Sequence, residues 1–373
     1  MGSVLKEDLR VDFSKIEDPR IQRSKKYPIE EIIFLCLFGA FLGVESWRGV
    51  ALLGQERLAF LRQFFAFSNG IPSHQTIGRV FSLLKPHCFE QFFMDWSAKL
   101  NGSNQGQQIA FDGKSLRGSA NGAKKALHLL NACAVDNGLS LAQLQVEEKT
   151  NEITALPEMI DCLDIKGAMV SVDALNTQKN IAAKIVEAQA DYTLALKGNH
   201  KHLNQAVEGL FATHTTPSHE ETEKSHGRIT TRRYHLLPVD KYNLPQALDW
   251  RGLKAVGRVE TMTLRRGKQS HETRYYLLSY EDVQRFAKSV RNHWGVEVMH
   301  WMLDVTFGED ACTKRKDHAP RNYSLIRKWA LNVLRKFKGK LSVPLVHIKA
   351  ASNSEYLKSL MITAGFLPLS TAF

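Results

Sequence analysis

Apolar residues recur at helical spacing through much of the first hundred residues. Two sets carry this spacing: Ile29, Ile32, Ile33, Cys36 and Leu37, then Leu58, Leu61, Phe64 and Phe65. Intervals of three and four residues place each set on one side of a helix. Ser73, which follows a Gly-Ile-Pro turn, is suited to cap a further helix. The pattern therefore predicts a helical region over residues 27–100.

The pattern changes after the polar, glycine-rich stretch 101–108, which we interpret as a linker. Short apolar runs then predict strands, and amphipathic stretches between them predict helices. The predicted strands are 109–111, 127–135, 139–146, 168–172 and 192–196, and the predicted helices are 152–163 and 177–190. Asp136-Asn137-Gly138 is a favourable hairpin turn between the second and third strands. This order predicts an α/β fold, a mixed sheet flanked by helices.

The remaining sequence is less regular. Residues 201–280 contain strand-like segments at 229–237, 254–264 and 274–279, and the chain is helical again from 281 to about 338. We therefore expect a helical N-terminal domain (1–100), an α/β domain with a β-rich insertion at about 201–280 (101–340), and a C-terminal tail (341–373).

Several classes of protein are disfavoured by simple features of the chain. The longest apolar run, Ile32–Val44, has 13 residues, whereas a membrane span needs roughly 20. The charged N-terminus lacks the apolar segment of a signal peptide. The five cysteines are scattered without CxxC spacing, which disfavours a disulfide framework or a zinc knuckle and favours a reducing cytoplasm. We therefore expect a cytoplasmic protein with no membrane association.

The net charge points to a polyanionic partner. Lys and Arg number 50 and Asp and Glu 38, which gives a formal net charge of +12. The densest basic stretch, residues 314–340, has ten basic residues and one acidic residue. Such a stretch is either a solvated helix face or a surface that neutralises phosphates, which gives nucleic-acid affinity without sequence specificity.

Three acidic residues are candidates for catalysis. Asp112 and Asp173 each follow a short apolar strand, and ligands of open sheets gather at strand ends. Each could instead be an ordinary helix cap or turn residue. Glu297 shares a predicted helix face with Val290, Trp294 and Trp301. A carboxylate buried in such surroundings needs compensation, either by an ion pair with Arg or His or by a metal shared with the two aspartates.

Three carboxylates without cysteine ligands suit Mg²⁺ or Mn²⁺. Two such ions can activate water and stabilise a leaving 3′ oxygen at a phosphodiester. On a basic protein, this favours a nuclease or strand transferase. Two other motifs are incomplete: Gly113-Lys114-Ser115 lacks the upstream glycine of a P-loop, and His293 and His300 lack the HExxH spacing of zinc proteases, although His293, Glu297, His300 and Asp304 share a helix face.

Taken together, these segments resemble the H-repeat-associated (ISAs-group) insertion-sequence transposases of the DDE transposase superfamily. The matching segments, which span about residues 27–338, are 71–81 (IPSHQTIGRVF), 109–117 (IAFDGKSLR), 172–178 (VDALNTQ), 196–200 (LKGNH), 225–228 (SHGR), 291–297 (RNHWGVE), 300–310 (HWMLDVTFGED) and 330–334 (ALNVL). The joint match is specific, although each segment alone would be weak.

The resemblance implies a ribonuclease H-like core with Asp112 on its first strand, Asp173 just after its fourth and Glu297 on a later helix. It further implies Mg²⁺- or Mn²⁺-dependent cleavage of element ends, with two ions, and joining of the 3′-OH to target DNA by a dimer or larger assembly. It implies no nucleotide cofactor and no covalent enzyme intermediate. This chain departs from relatives by having Val298 after the glutamate. Related groups place Arg and Lys where this chain has His293 and Asp304, so Asp304, Glu309 or Asp310 could compete as the third ligand.

A further set of residues is predicted to contact DNA. Its members are Lys114, Arg117, Lys197, His226, Arg228, Arg291, His293, Trp294, Lys314, Arg315 and Arg321. The alternative for the cations is ordinary surface charge. Trp294 and Trp301 could stack on a flipped base, although packing in the core is the simpler interpretation. The leading hypothesis is an active transposase, and the alternatives are a domesticated or inactive DNA-binding relative and a stand-alone nuclease.

Overall fold

The computed structural model describes residues 9–122, 124–147, 152–225, 227–242, 244–337 and 339–369. The helices are α1 (Ile29–Phe41), α2 (Trp47–Glu56), α3 (Leu58–Leu61), α4 (His74–Leu83), α5 (Pro86–Asn101), α6 (Glu152–Asp161), α7 (Lys179–Glu187), α8 (Lys201–Ala212), α9 (Val283–Val305), α10 (Ala319–Phe337), α11 (Val343–Ser352) and α12 (Ser354–Thr363). The strands are β1 (Gln108–Leu116), β2 (Leu127–Ala134), β3 (Leu139–Val146), β4 (Met169–Val172), β5 (Asp191–Leu196), β6 (His219–Ser225), β7 (Arg228–Pro238), β8 (Ala255–Arg265) and β9 (Lys268–Leu278).

All nine of these strands form one sheet in the order β3-β2-β1-β4-β5-β9-β8-β7-β6. β1, β2 and β3 pair antiparallel, and β2 turns into β3 through Gly138 at a φ of 66°. β1, β4 and β5 pair parallel, and β9 then runs antiparallel to β5. The predicted mixed sheet flanked by helices is therefore confirmed. Its strand order agrees with the ribonuclease H-like core, with Asp112 on the first strand and Asp173 after the fourth.

The helical region has its own core, built around a helix that is apolar on every side. All but one residue of α1 are buried, and even Glu31 lies inside, where it accepts a hydrogen bond from the backbone N–H of Phe67 at 2.7 Å. Trp329 of α10 packs at ring-centroid distances of 5.4 Å from Phe92 and 5.2 Å from Trp96. Ser73 caps α4 as predicted, accepting from the N–H of Thr76.

The C-terminal segment differs from the predicted tail. Residues 343–363 form α11 and α12, and their apolar residues Val346, Leu360 and Met361 are buried in the same core as α1 and α10. The two helices are short, and polar residues interrupt their apolar positions. The sequence alone therefore does not show a clear helical pattern here. The helical core is therefore assembled from both ends of the chain.

The predicted β-rich insertion contains a helix and four strands. α8 was not predicted, and β6 was not recognised as a strand because its HEETEKS sequence is charged and mostly exposed. β8 and β9 are each eleven residues long and pair over their whole length. The outer half of β9 is exposed and that of β8 is mostly half-buried, so neither shows the alternation that would reveal its full extent.

No helix among the residues that the structure describes is both long enough and apolar enough to cross a membrane.

Candidate active site

Asp173 follows the end of β4, and Asp112 lies at the same level on the neighbouring β1. The prediction that Asp112 follows a short strand is wrong, because β1 continues to Leu116 through its pairing with β2. β1 and β4 run parallel, with Phe111 opposite Val172 at the last pair of their ladder. The aspartate that follows each of these residues therefore emerges where β4 stops and the backbone opens. The structure thus brings together two of the three predicted carboxylates.

Glu297 approaches from α9, which is held against these strand ends by polar contacts. The Gln108 side chain on β1 donates to the backbone oxygen of Ser289 at 2.8 Å, and Ser171 on β4 shares a hydrogen bond of 2.9 Å with His293 Nδ1. Asp112 interacts electrostatically with both Asp173 and Glu297. The three side chains therefore contribute to one region of negative potential.

The protonation of these carboxylates reflects that shared potential. Burial raises the pKa of Asp173, and the neighbouring Asp112 raises it further, against the hydrogen bonds from Asn176 that lower it. Partial loss of hydration and the Asp112 charge also raise the pKa of Glu297, and Arg274 and His300 oppose this increase. Raised carboxylate pKa values of this origin are relieved when a cation is held between the groups.

The donor set is suited to a divalent metal, but the side chains are not arranged as a closed ligand shell. Across the described ranges, no three His, Cys, Asp or Glu side chains are placed to hold an ion. Asp112 Oδ2 instead lies 3.4 Å from His300 Nδ1, and Asp173 Oδ1 accepts from the backbone N–H and side-chain amide of Asn176 at 3.0 and 3.1 Å. Oxygen donors at one sheet edge fit Mg²⁺ or Mn²⁺ in kind, and binding would require these carboxylates to turn.

A buried chain of polar side chains supports Asp173 from behind. The Asn176 amide also donates to Glu152 Oε2 at 2.8 Å, Glu152 Oε1 lies 2.5 Å from His128 Nε2, and Ser115 Oγ lies 2.9 Å from His128 Nδ1. Asn176 is fully buried, and Glu152 is 1% exposed. Such outer contacts orient the groups that carry out the chemistry.

Gly113 makes room for this chain. A Cβ atom at this position would lie 2.1 Å from Glu152 Oε1 and 2.6 Å from His128 Nε2. The glycine that follows Asp112 is therefore explained by close approach, and a phosphate-binding loop is not needed to account for it.

A cleft of about 210 Å³ opens beside Asp173 and Glu297. Two cations line it, the predicted Lys197 and Arg274 of β9, which sequence reasoning missed. Arg274 is paired with Glu272 at 2.8 Å and lies over the Trp294 ring at 5.6 Å. His293 also lines the cleft, and burial lowers the pKa of its imidazole. At neutral pH we therefore expect His293 to act as a neutral hydrogen-bonding group.

The predicted burial of Glu297 among aromatic side chains is wrong. Trp294 is 48% exposed and Trp301 is 60% exposed, and Glu297 is itself exposed. Core packing of the two tryptophans is likewise excluded. α9 packs through its opposite side, where Val296, Met299 and Leu303 are buried. The sequence pattern therefore predicted burial for the wrong face of this helix.

Four of the other predicted DNA contacts are exposed. Arg228, at the start of β7, has no ion pair with any residue that the structure describes. Arg117 lies 3.4 Å from Asp310, and Arg315 donates to the Gly118 carbonyl at 3.0 Å. Arg291 is paired with Glu221 and Glu223 at 3.0 and 3.2 Å. His226 lies outside the described residues.

Three residues that were predicted to contact DNA instead interact with groups inside the protein. Lys114 is buried beside Asp304, Glu309 and Asp310, at 2.5, 3.4 and 3.4 Å. Lys314 donates to the Glu45 carbonyl and lies over the Tyr323 ring at 3.9 Å, and Arg321 forms a two-pronged ion pair with Glu90 at 2.6 and 2.5 Å. These three expectations are corrected.

Much of the basic stretch 314–340 is likewise directed inward. Arg327 pairs with Glu45 at 2.7 Å, and Lys328 donates to Gln143 Oε1 at 2.6 Å. Burial lowers the pKa of Lys328 to about 8. α10 is therefore an interior helix with internal counter-charges, and the interpretation of its whole length as a phosphate-binding face is wrong.

The competing third ligands Asp304, Glu309 and Asp310 form the other half of the Lys114 cluster. Glu309 is 1% exposed and also accepts from Ser324 Oγ at 2.7 Å. A lysine ammonium among three carboxylates already provides their compensation. This geometry favours Glu297 over these three residues as the partner of the two aspartates.

Sequence reasoning missed the residues that support the carboxylates. Arg274 lies on a strand whose extent was underestimated, and Glu152 and Asn176 look like ordinary helix-start and turn residues. The sequence offered one indication. Asn176 follows Asp173 by only three residues in a polar turn, and Asn side chains in turns commonly form hydrogen bonds with neighbouring residues.

Comparison with known proteins agrees with this architecture. Residues 103–333 match the family described as "Transposase DDE domain", and residues 11–97 match the one described as "DDE_Tnp_1-associated". The chain is 36% identical to "Putative transposase YncI" of Escherichia coli O157:H7 over 96% of this chain and 95% of that protein. It is 35% identical to "H repeat-associated putative transposase YhhI" of Escherichia coli K12 over 95% and 97% of the two chains.

Among solved structures, the chain aligns with piggyBac transposase in a synaptic complex with hairpin DNA. The TM-score is 0.46 and the identity 10%, over 95% of this chain and 80% of that chain.

A mixed sheet with acidic residues at its strand ends and these family matches define a DDE transposase, an enzyme that cleaves DNA. Within that family, the chain belongs to the H-repeat-associated group.

Proposed function

We propose that this transposase cleaves the ends of an insertion sequence and joins the freed 3′-OH to target DNA. The observation that carries the proposal is the placement of Asp112 beside the end of β4, where Asp173 lies, within electrostatic reach of both Asp173 and Glu297. Their DNA substrate is the pair of terminal inverted repeats together with a target duplex, held by a homodimer or larger assembly in the bacterial cytoplasm, at the nucleoid.

The same three carboxylates would hold Mg²⁺ or Mn²⁺, with two ions as our proposal. Bound metal supplies Lewis-acid stabilisation of the phosphodiester and a more acidic attacking water or hydroxyl. For a metal to bind, the Asp112 carboxylate would have to turn away from His300. Asp173 would have to keep one carboxylate oxygen free of its hydrogen bonds with Asn176. Because Asn176 bonds to Asp173 Oδ1, Oδ2 would be the oxygen left to hold a metal.

The residues around the cleft have distinct roles in this proposal. Lys197 and Arg274 lower the cost of bringing a phosphodiester next to three carboxylates, because they place positive charge on the same cleft. His293, held by Ser171, orients the substrate as a neutral donor or acceptor. The exposed Trp294 and Trp301 rings offer stacking surfaces for an unpaired base.

A strand-transfer assay tests this function. Purified protein is incubated with a duplex that ends in the element's terminal repeat, a supercoiled target plasmid and Mg²⁺. We expect end cleavage followed by joined products, both lost when EDTA removes the metal. Cleavage without joining would identify a stand-alone nuclease, and salt-sensitive binding without cleavage a domesticated or inactive relative.

The buried support of Asp173 predicts a further effect. Asn176→Ala removes both bonds from its side chain, to Asp173 and to Glu152, and should lower end cleavage by about 10- to 100-fold while DNA affinity is unchanged. Single-turnover cleavage and anisotropy-based binding measure the two quantities. Asn69→Ala is the matched control, because Asn69 is exposed in the helical region and its side-chain amide donates to the Lys26 carbonyl, away from the cleft. Equal cleavage by the two variants would contradict the assigned role of Asn176.

A further inference from the structure

Two hairpin turns at the far end of the β-rich insertion carry a concentration of positive charge. One turn links β6 to β7 and the other links β8 to β9, and the two lie side by side because Arg228 pairs with Arg265. Exposed cations at or next to these turns are Lys224, Arg228, Arg265, Arg266 and Lys268. We define these five residues as the cationic tip.

The strand register aligns three of these cations in a row. Arg228 on β7 is directly opposite Arg265 on β8, which is directly opposite Lys268 on β9. Directly opposed residues project from the same face of a sheet. The three side chains therefore stand next to one another across three strands.

That face is the one that carries the active site. Tyr234 shares the face of Arg228, six residues further along β7, and its ring packs against Phe286 of α9 at 5.8 Å. Arg274 lies six residues from Lys268 on β9, on the same face, and lines the cleft with Glu297. The row and the cleft thus face the same way. Glutamates on that face between them, Glu223, Glu272 and Glu221, are paired with Arg232, Arg274 and Arg291.

The row is unfavourable for the folded protein alone. Like charges at directly opposed positions destabilise a sheet. Within the described ranges, none of the five tip cations has an ion pair, whereas Arg232 and Arg274, nearer the cleft, are paired with Glu223 and Glu272. In addition, Arg266 occupies the turn at a φ of 49°, a conformation that favours glycine or asparagine. Repulsion and strain at one exposed end indicate a surface that is compensated by an anionic partner.

The spacing fits duplex DNA. Six residues of extended strand separate the row from Arg274, which is about 20 Å. Since a duplex rises by about 3.4 Å per base pair along its axis, a duplex that leaves the cleft along β9 would reach the row after about six base pairs.

We propose that the cationic tip is a backbone clamp for duplex DNA, holding phosphates about six base pairs from the cleaved bond. This inference rests on the proposed function, because it takes the DNA to enter at the carboxylate cleft. The clamp contacts only phosphates and therefore adds affinity and orientation without reading sequence.

The test is binding of a DNA duplex of about 30 base pairs and arbitrary sequence, in EDTA, as a function of salt. The triple variant Arg228→Gln/Arg265→Gln/Lys268→Gln should bind about 100-fold more weakly near 0.1 M salt, and its log–log salt slope should fall by about 2.7. Because the substitutions remove repulsion between neighbours, its thermal midpoint should be equal to or above that of the wild type.

The matched control removes the same charge elsewhere. Arg23→Gln/Lys99→Gln/Lys349→Gln replaces three other exposed cations and should leave the slope nearly unchanged. A salt slope that falls equally in both variants, or in neither, would overturn the clamp while leaving the proposed function standing. Tighter binding of duplex RNA than of DNA would also overturn it. Absence of DNA binding by the wild type would instead count against the proposed function itself.

Discussion

Replacing Asp112 by asparagine should reduce end cleavage by at least about 1,000-fold while DNA affinity stays within a few-fold of the wild type. The substitution preserves shape but removes the central charge, the one that interacts with both Asp173 and Glu297. Losing several kcal/mol of transition-state stabilisation at a metal-dependent site corresponds to about three decades in rate. Binding should survive, because one fewer negative charge at the cleft does not oppose the phosphate backbone.

Single-turnover cleavage of a terminal-repeat duplex, with binding measured in parallel, checks this result. Asp249→Asn is the control, since Asp249 is an exposed carboxylate paired with Lys179 at 2.7 Å. Unchanged cleavage by the Asp112 variant would remove this residue from the active site.

Replacing Lys114 by methionine should lower the free energy of unfolding by about 3–5 kcal/mol, because the variant removes the ammonium that is paired with the buried Glu309 carboxylate and with Asp304. Glu309 is 1% exposed, and Lys114 lies 3.4 Å from it and 2.5 Å from Asp304. The side chain of methionine fills similar space, so the lost charge dominates the effect. Denaturant unfolding followed by circular dichroism measures the change.

Arg117→Gln provides the comparison, since Arg117 is exposed and its pairing with Asp310 at 3.4 Å is open to solvent. That variant should lose less than about 1 kcal/mol. If Lys114 were instead a phosphate contact, its methionine variant would keep wild-type stability and lose DNA affinity.

Most strands of the sheet and the closeness of Asp112 to Asp173 could be predicted from local signals. Asp112 and Asp173 follow short apolar runs, and the Asp136-Asn137-Gly138 turn fixes the hairpin that precedes β4. Parallel pairing of the two strands then brings the aspartates to one edge.

The direction of the charged and aromatic side chains could not be predicted in the same way. Arg321 and Arg327 lie in a stretch whose composition is typical of a surface helix. They point inward because they pair with Glu90 and Glu45, which lie more than 200 residues earlier in the chain. Trp294 and Trp301 would usually be assigned to a core, but α9 already buries its opposite side. Both errors arise because amphipathic spacing identifies a face without identifying what covers it.

The most direct test of the shared metal site is a crystal structure of the protein grown with Mn²⁺ and duplex DNA. We expect anomalous density within coordination distance of Asp112, Asp173 and Glu297, with the Asp112 carboxylate turned away from His300. Density at Asp304, Glu309 and Asp310 instead, or Glu297 remaining out of reach of an ion bound by the two aspartates, would contradict the account.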